Sequence, residues 1–312
     1  KSPIVVVTAS GRRAERLKTS LDAWIDGVEV LPSWETLPHE RLSPQVDTMA
    51  RRSAVLRRLV HPESGLVGAG PVSILLVPIR AFMQPTISGL ADIAPVIAAE
   101  GQSVGRDRLV HDLTALGYQA VDLVERRGQV AVRGSIVDVF VPTNPHPLRI
   151  EFFGDEVDEV RWFNLSDQLT LGVAEGGLWA PAARELLLTP EVRKKALALQ
   201  SQFPGASDLL ELAGEGIYAP GIESLAPAQV EAMVPVVELL PNDSLFILDE
   251  PEQTRARSED LIKTAEEFLL AAWGAAGDGA KVPLEVKAGS FVPLPELWGR
   301  GRRRAWWEFT SY

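Results

Sequence analysis

Few residues in this 312-residue chain have a type and spacing suited to chemistry. Cysteine is absent, so thiol nucleophiles, disulfides, iron–sulfur clusters and cysteine zinc sites are excluded. The four histidines, His39, His61, His111 and His146, never pair at helical ligand spacing, which argues against a histidine metal site. No Ser/His/Asp triad stands out, and no motif pairs any of the abundant carboxylates. Nucleotide hydrolysis is the first chemistry to weigh, because the chain opens with a strand, a glycine and a helix. A phosphate loop needs G-x-x-x-x-G-K-[ST], so that backbone amides wrap the phosphates and the lysine reaches them. Starting from Gly11, that pattern requires glycine at position 16 and lysine at position 17, where the chain has Arg16 and Leu17. Lys18-Thr19 falls inside the predicted helix. Phe246 to Glu250 has the form of a strand ending in a magnesium-holding aspartate and a water-polarising glutamate. Without a phosphate loop, Asp249 and Glu250 are read instead as acids suited to the start of a helix. Gly65, Gly68 and Gly70 do not spell a dinucleotide fingerprint.

The most informative segment is Leu148-Arg149-Ile150-Glu151-Phe152-Phe153. Strand alternation puts Leu148, Ile150 and Phe152 on one apolar face and Arg149, Glu151 and Phe153 on the other. Gly154-Asp155 then suits a tight hairpin. An exposed phenylalanine beside an arginine is the composition of an interface hot spot. The competing reading packs Phe153 under a loop and pairs Arg149 with Glu151 or Asp158. In Gln129 to Arg133, Val130 and Val132 face one way, Ala131 and Arg133 the other. If these strands pair, Arg133 joins Arg149 on one surface. Gly134 suggests a bulge or a close backbone approach.

Two basic groups remain. Arg51, Arg52, Arg57 and Arg58 flank an apolar stripe and predict a solvated helix face. Arg300, Arg302, Arg303 and Arg304 precede Trp306 and Trp307, a pairing that can touch nucleic acid by charge and stacking. The glycines and the terminal position favour a mobile linker or chain end.

The elements that must position these residues fall into three stretches. Strands over 4–7, 28–31 and 73–77 alternate with helices over 12–25 and about 44–60, Ser43-Pro44 serving as the cap of the second. That order predicts a parallel sheet covered by helices. A helix over 106–116 is followed by closely spaced strand runs over 120–126, 129–133, 135–141, 148–153 and 156–163, which predicts a separate antiparallel α+β module. Further helices, a strand over 245–248 and a long helix over 252–273 follow, and this third stretch is expected to complete the first stretch's sheet. The length fits two or three domains. The net charge of −11, from 31 basic and 42 acidic residues, makes a poor general binder of phosphate backbones. No apolar run approaches the ~20 residues of a membrane helix, and the apolar run over 4–7, short and without a cleavage site, is not expected to be a signal peptide. The opening strand at Ile4, with no initiator methionine, suggests a piece of a longer protein.

Three stretches together resemble the bacterial transcription-repair coupling factor family, Mfd. Leu31-Pro32-Ser33-Trp34-Glu35-Thr36-Leu37-Pro38 with Arg41-Leu42-Ser43-Pro44 is similar to its tryptophan loop. Val132 to Phe140 resembles its R-G segment, and Arg149 to Asp158 its double-phenylalanine hairpin. The last two also occur in the excision-repair helicase UvrB. The resemblance covers about Ile4 to Leu270 and thins after Pro190. It implies a degenerate, helicase-like parallel α/β domain (1a over 1–90, 1b with a linker over 174–312) and an inserted antiparallel α+β domain 2 over 91–173. Domain 2 would bind UvrA through Arg133, Arg149 and Phe153, with Glu151, Asp155 and Glu156 as secondary contributors. The nucleotide site would be lost, with no cofactor and no ATPase in this stretch. RNA polymerase and DNA would engage other domains of a longer cytoplasmic protein, and a C-terminal domain would cover the UvrA-binding face at rest. The family's first strand and degenerate phosphate-loop region would precede Lys1. The alternatives are a UvrB-like component that binds damaged DNA, and a nucleotide-dependent enzyme using Asp249 and Glu250.

Overall fold

The computed structural model describes residues 2–62, 70–277, 287–301 and 304–310. Gly65, Gly68, Arg302 and Arg303 lie outside the described residues. The chain forms two compact units, one of Lys1–Pro44, Pro71–Ala91 and Leu188–Tyr312, the other of Gln45–Gly70 and Asp92–Leu187. Both carry mixed α/β structure, one on a parallel sheet and one on an antiparallel sheet.

The first unit is built on five parallel strands in the order Trp306–Phe309, Leu245–Asp249, Ile4–Thr8, Ile74–Pro78, Val28–Val30. Ile4 pairs with Ile74 on one side and Leu245 on the other, so the distant 245–249 strand does complete the opening sheet. The Gly11–Leu21 helix starts at Ser10, whose hydroxyl accepts the Arg13 N–H at 3.3 Å. Ala14, Leu17 and Leu21 then pack on Val28, Val30, Ile74 and Leu76. The Pro251–Gly277 helix leads from Leu245–Asp249 outward to the edge strand Trp306–Phe309. The connection from Ile4–Thr8 through the Gly11–Leu21 helix to Val28–Val30 and the connection from Leu245–Asp249 to Trp306–Phe309 run in opposite directions across the sheet. Its switch point therefore lies between Ile4–Thr8 and Leu245–Asp249, where such folds bind ligands.

The terminal segment read as a mobile linker is this edge strand. Trp306 stacks on Phe246 at 4.4 Å and on Trp298 at 4.5 Å between ring centroids, which ties it to the core. Ser43 also departs from its expected capping role. Gln45 holds the cap position of the Val46–Val60 helix, while the Ser43 hydroxyl bonds to the Glu223 carboxylate and accepts the Gly221 N–H at 2.8 Å.

The second unit is built on six strands in the order Thr170–Val173, Glu156–Phe163, Leu148–Phe153, Ile136–Val139, Gln129–Arg133, Gln119–Ala120. All neighbours are antiparallel except the last pair. The run over 120–126 is therefore mostly loop, with only a short strand at its start. One sheet face, carrying Val130, Val137, Val139, Leu148, Ile150, Phe152, Val157 and Val160, packs with Leu109 and Leu113 of the Arg106–Ala115 helix in one buried cluster. A further ladder pairs Val96–Ala98 with Leu178–Ala180, so the chain closes this unit beyond residue 173. Burial pushes the Tyr118 hydroxyl up from its ordinary range, and that hydroxyl donates to the Pro181 carbonyl at 3.0 Å.

The Val46–Val60 helix belongs to the same unit, and its arginines do not form a solvated face. Arg52 is 1% exposed and its Nε donates to Glu185 Oε1 at 2.7 Å, both groups buried. Arg57 reaches the Asp92 carbonyl at 3.1 Å and Arg58 the Gly70 carbonyl at 2.7 Å. Among the described residues, no helix is long and apolar enough to cross a membrane.

Candidate functional site

The antiparallel sheet brings together the three residues singled out on outward faces. Two hairpins turn at the same end of it. Arg133 faces Ile136 across Gly134-Ser135, and Phe153 faces Glu156 across Gly154-Asp155. Each two-residue turn has glycine first with positive φ, 62° and 63°, the backbone a two-residue hairpin asks for there. A Cβ at Gly134 would meet nothing within 4 Å, so it serves the turn and not a bulge or a close approach.

Ile136 pairs with Glu151, and Asp138 pairs with Arg149. Asp138 also faces Ala131, and Arg149 also faces Arg161. With period-two alternation, Arg133, Ile136, Asp138, Arg149, Glu151 and Phe153 therefore share the face opposite the helix.

Phe153 is 83% exposed, so it is not packed under a loop among the described residues. Arg149 pairs neither with Glu151 nor with Asp158. Its Nε and Nη2 hold the two oxygens of Asp138 at 2.8 and 3.0 Å. Its Nη1 donates to the Gln168 carbonyl at 3.3 Å, and its guanidinium lies 4.6 Å from the Phe163 ring centroid. The bond to Asp138 raises the Arg149 pKa further, against the opposing effect of burial. Arg133 donates to the same carboxylate from the neighbouring strand. Asp138, 1% exposed, thus gathers both arginines, and sequence reasoning passed over it. Its signal was a lone acid inside the apolar run Ile136-Val137-Asp138-Val139-Phe140. Such an acid must be answered by a partner when buried.

Of the secondary residues, Glu151 is half-buried, while Asp155 and Glu156 are exposed at the hairpin end. The Asp155 carbonyl accepts the N–H groups of Val104 at 3.1 Å and Gly105 at 2.9 Å, which pins the turn. Arg161 bonds to Glu159 on the same face.

The family described as the UvrB interaction domain matches residues 96–183. Those limits contain the Val96–Ala98 and Leu178–Ala180 ladder and the six-stranded sheet between them. Residues 96–183 are therefore similar to the UvrB interaction domain as a folded unit. Over its whole length the chain is similar to transcription-repair-coupling factors, matching their N-terminal region. That of Mycobacterium tuberculosis is 39% identical over 100% of this chain and 27% of the relative. That of Escherichia coli is 29% identical over 85% of this chain and 22% of the relative. The UvrABC system protein B of Streptococcus agalactiae is 29% identical over 43% of this chain and 20% of its own. The chain thus spans about a quarter of the length of the coupling factors it matches. Arg133, Arg149, Phe153 and Asp138 all fall inside the stretch that matches the UvrB interaction domain family.

The other candidates have their partners elsewhere. Asp249 is 3% exposed at the switch point of the parallel sheet, and Arg13 grips it with Nε at 2.9 Å and Nη2 at 3.0 Å. The aspartate that would hold magnesium is neutralised by a guanidinium, and its carbonyl accepts the Thr254 hydroxyl at 2.7 Å in the first turn of the next helix. Of the basic terminal group, Arg300 pairs with Glu238 and with Glu296, the latter at 2.7 Å. Arg304 donates to the carbonyls of Leu240 at 2.6 Å and Pro241 at 3.1 Å. Among the described residues, no group of three or more His, Cys, Asp or Glu is placed to hold a metal ion.

Proposed function

We propose that this chain binds UvrA through the outward face of its UvrB interaction domain and so brings excision repair to a stalled RNA polymerase. The observation that carries this reading is Phe153, 83% exposed at a hairpin end with Arg133 and Arg149 on its face, inside a UvrB interaction domain. Single exposed apolar residues are ordinary, but a bare phenylalanine on a face with ordered arginines is the composition of an interface anchor. The ring fills a pocket on the partner, and the arginine face supplies charge-assisted hydrogen bonds. Glu151, Asp155 and Glu156 border the contact. The mechanism is recognition, with no ATP turnover in this stretch of chain. The unit on the parallel sheet plays the part of the degenerate domains 1a and 1b, and the unit on the antiparallel sheet, which extends past residue 173 to the Leu178–Ala180 strand, that of domain 2. RNA polymerase and DNA engage other parts of a longer cytoplasmic protein.

The test is calorimetric titration of purified UvrA with the native chain and with an Arg149→Ala/Phe153→Ala variant. Native binding that collapses in the variant supports the reading. Equal binding by both moves the contact off this face, and absence of native binding refutes it.

A further inference from the structure

We infer that Asp138 is a positioning residue for the partner-binding face: it fixes Arg149 as an internal strut and aims Arg133 outward. The inference rests on the UvrA-binding reading above and divides the labour within it.

The two arginines are not equivalent. The Arg149 side chain is 14% exposed, with three sides taken by Asp138, the Gln168 carbonyl and the Phe163 ring. Little of its donor set is left for a partner. The Arg133 side chain is 43% exposed and has one donor on Asp138. A guanidinium carries five N–H donors, so Arg133 retains free ones.

Strand register explains how one acid serves both. Asp138 lies directly opposite Arg149 on one neighbouring strand and opposite Ala131 on the other. Arg133 is two residues along from Ala131 on the same face, the diagonal position that a long side chain can reach. The small Ala131 side chain leaves that diagonal open. A carboxylate 1% exposed is costly to bury unless paired, and here two guanidiniums answer it. The consequence for binding is preorganisation. An arginine already tethered to a buried acid loses less rotamer freedom when it meets its partner.

A double-mutant cycle read by calorimetry against UvrA tests this. Asp138→Asn keeps the side chain's shape and removes its charge. In the native background we expect it to weaken UvrA binding about tenfold, at a temperature well below the variant's own melting point. In an Arg133→Ala background the same change should cost less than about threefold, because the residue it aims is gone. In a Phe153→Ala background it should keep its full effect. Arg149→Lys is the second variant, should Asp138→Asn fail to fold. It preserves a positive charge but cannot reproduce the two-point grip, and its effect should depend on Arg133 in the same way. Equal losses with and without Arg133, or unchanged affinity in a natively binding chain, overturn the inference alone. Failure of the native chain to bind UvrA overturns the functional reading and this inference with it.

Discussion

Arg149 holds Asp138 by two parallel bonds of 2.8 and 3.0 Å across paired strands, and the acid lies beneath the guanidinium at 1% exposure. Hydrogen bonds to charged groups contribute roughly 1.5–3 kcal/mol, and a buried charge left unpaired adds to the cost. Arg149→Ala is therefore expected to destabilise the chain by about 2–3 kcal/mol in urea or thermal unfolding. Arg133→Ala should cost under about 1 kcal/mol, because that side chain is 43% exposed and Arg149 still answers Asp138. Equal destabilisation by the two variants would contradict the division between strut and contact.

Arg52 and Glu185 form the second buried pair, at 2.7 Å, with side chains 2% and 0% exposed. Removing one partner leaves a charge stranded in the core. Arg52→Met should lower stability by about 3–5 kcal/mol, and the double change Arg52→Met/Glu185→Leu should recover most of that loss. Chemical denaturation of the single and double variants measures both effects. Full additivity would show that the two groups do not depend on each other.

Tyr118 offers a smaller change in the same unit. Its buried hydroxyl donates to the Pro181 carbonyl at 3.0 Å, joining the segment after the Arg106–Ala115 helix to the segment after the closing strand. Tyr118→Phe should cost about 1–2 kcal/mol, seen as a lower melting temperature with UvrA affinity unchanged. A loss of affinity at matched folded fraction would place this contact inside the binding machinery.

The Arg13–Asp249 pair separates recognition from nucleotide chemistry. If Asp249 is a structural anion, Asp249→Asn should destabilise the chain by about 1–3 kcal/mol and leave ATP turnover at background in both forms. Turnover by the native chain that Asp249→Asn abolishes would favour the enzymatic alternative.

Much of this arrangement was legible in residue patterns. Continuous apolar runs marked the parallel strands at Ile4–Thr8 and Ile74–Pro78, buried on one or both faces. Alternation marked Leu148–Phe153, whose observed burial puts Leu148, Ile150 and Phe152 inside and Phe153 out. Short ladders such as Val96–Ala98 with Leu178–Ala180 were not legible, because three residues carry no period and pairing at that distance is set by tertiary packing. Trp306–Phe309 was hidden by its flanking arginines, although Trp306 is fixed by stacking on Phe246 and Trp298. Arg52 misled because helical periodicity reports polarity and cannot see a carboxylate that arrives from residue 185. Within the candidate site, alternation placed Arg149 and Phe153 correctly. The partner of Arg149 was missed because Glu151 and Asp158 are near in sequence, whereas Asp138 is opposite only through strand register.

The most direct measurement is calorimetric titration of UvrA with the native chain and with Phe153→Ala. Phe153 is 83% exposed, so its truncation should leave the melting temperature unchanged. An interface anchor costs about 2 kcal/mol or more when truncated, so affinity should fall roughly thirtyfold. Native binding with that loss in a fully folded variant is the predicted result. A native chain that does not bind UvrA, or a variant that binds as tightly as the native chain, would contradict the account.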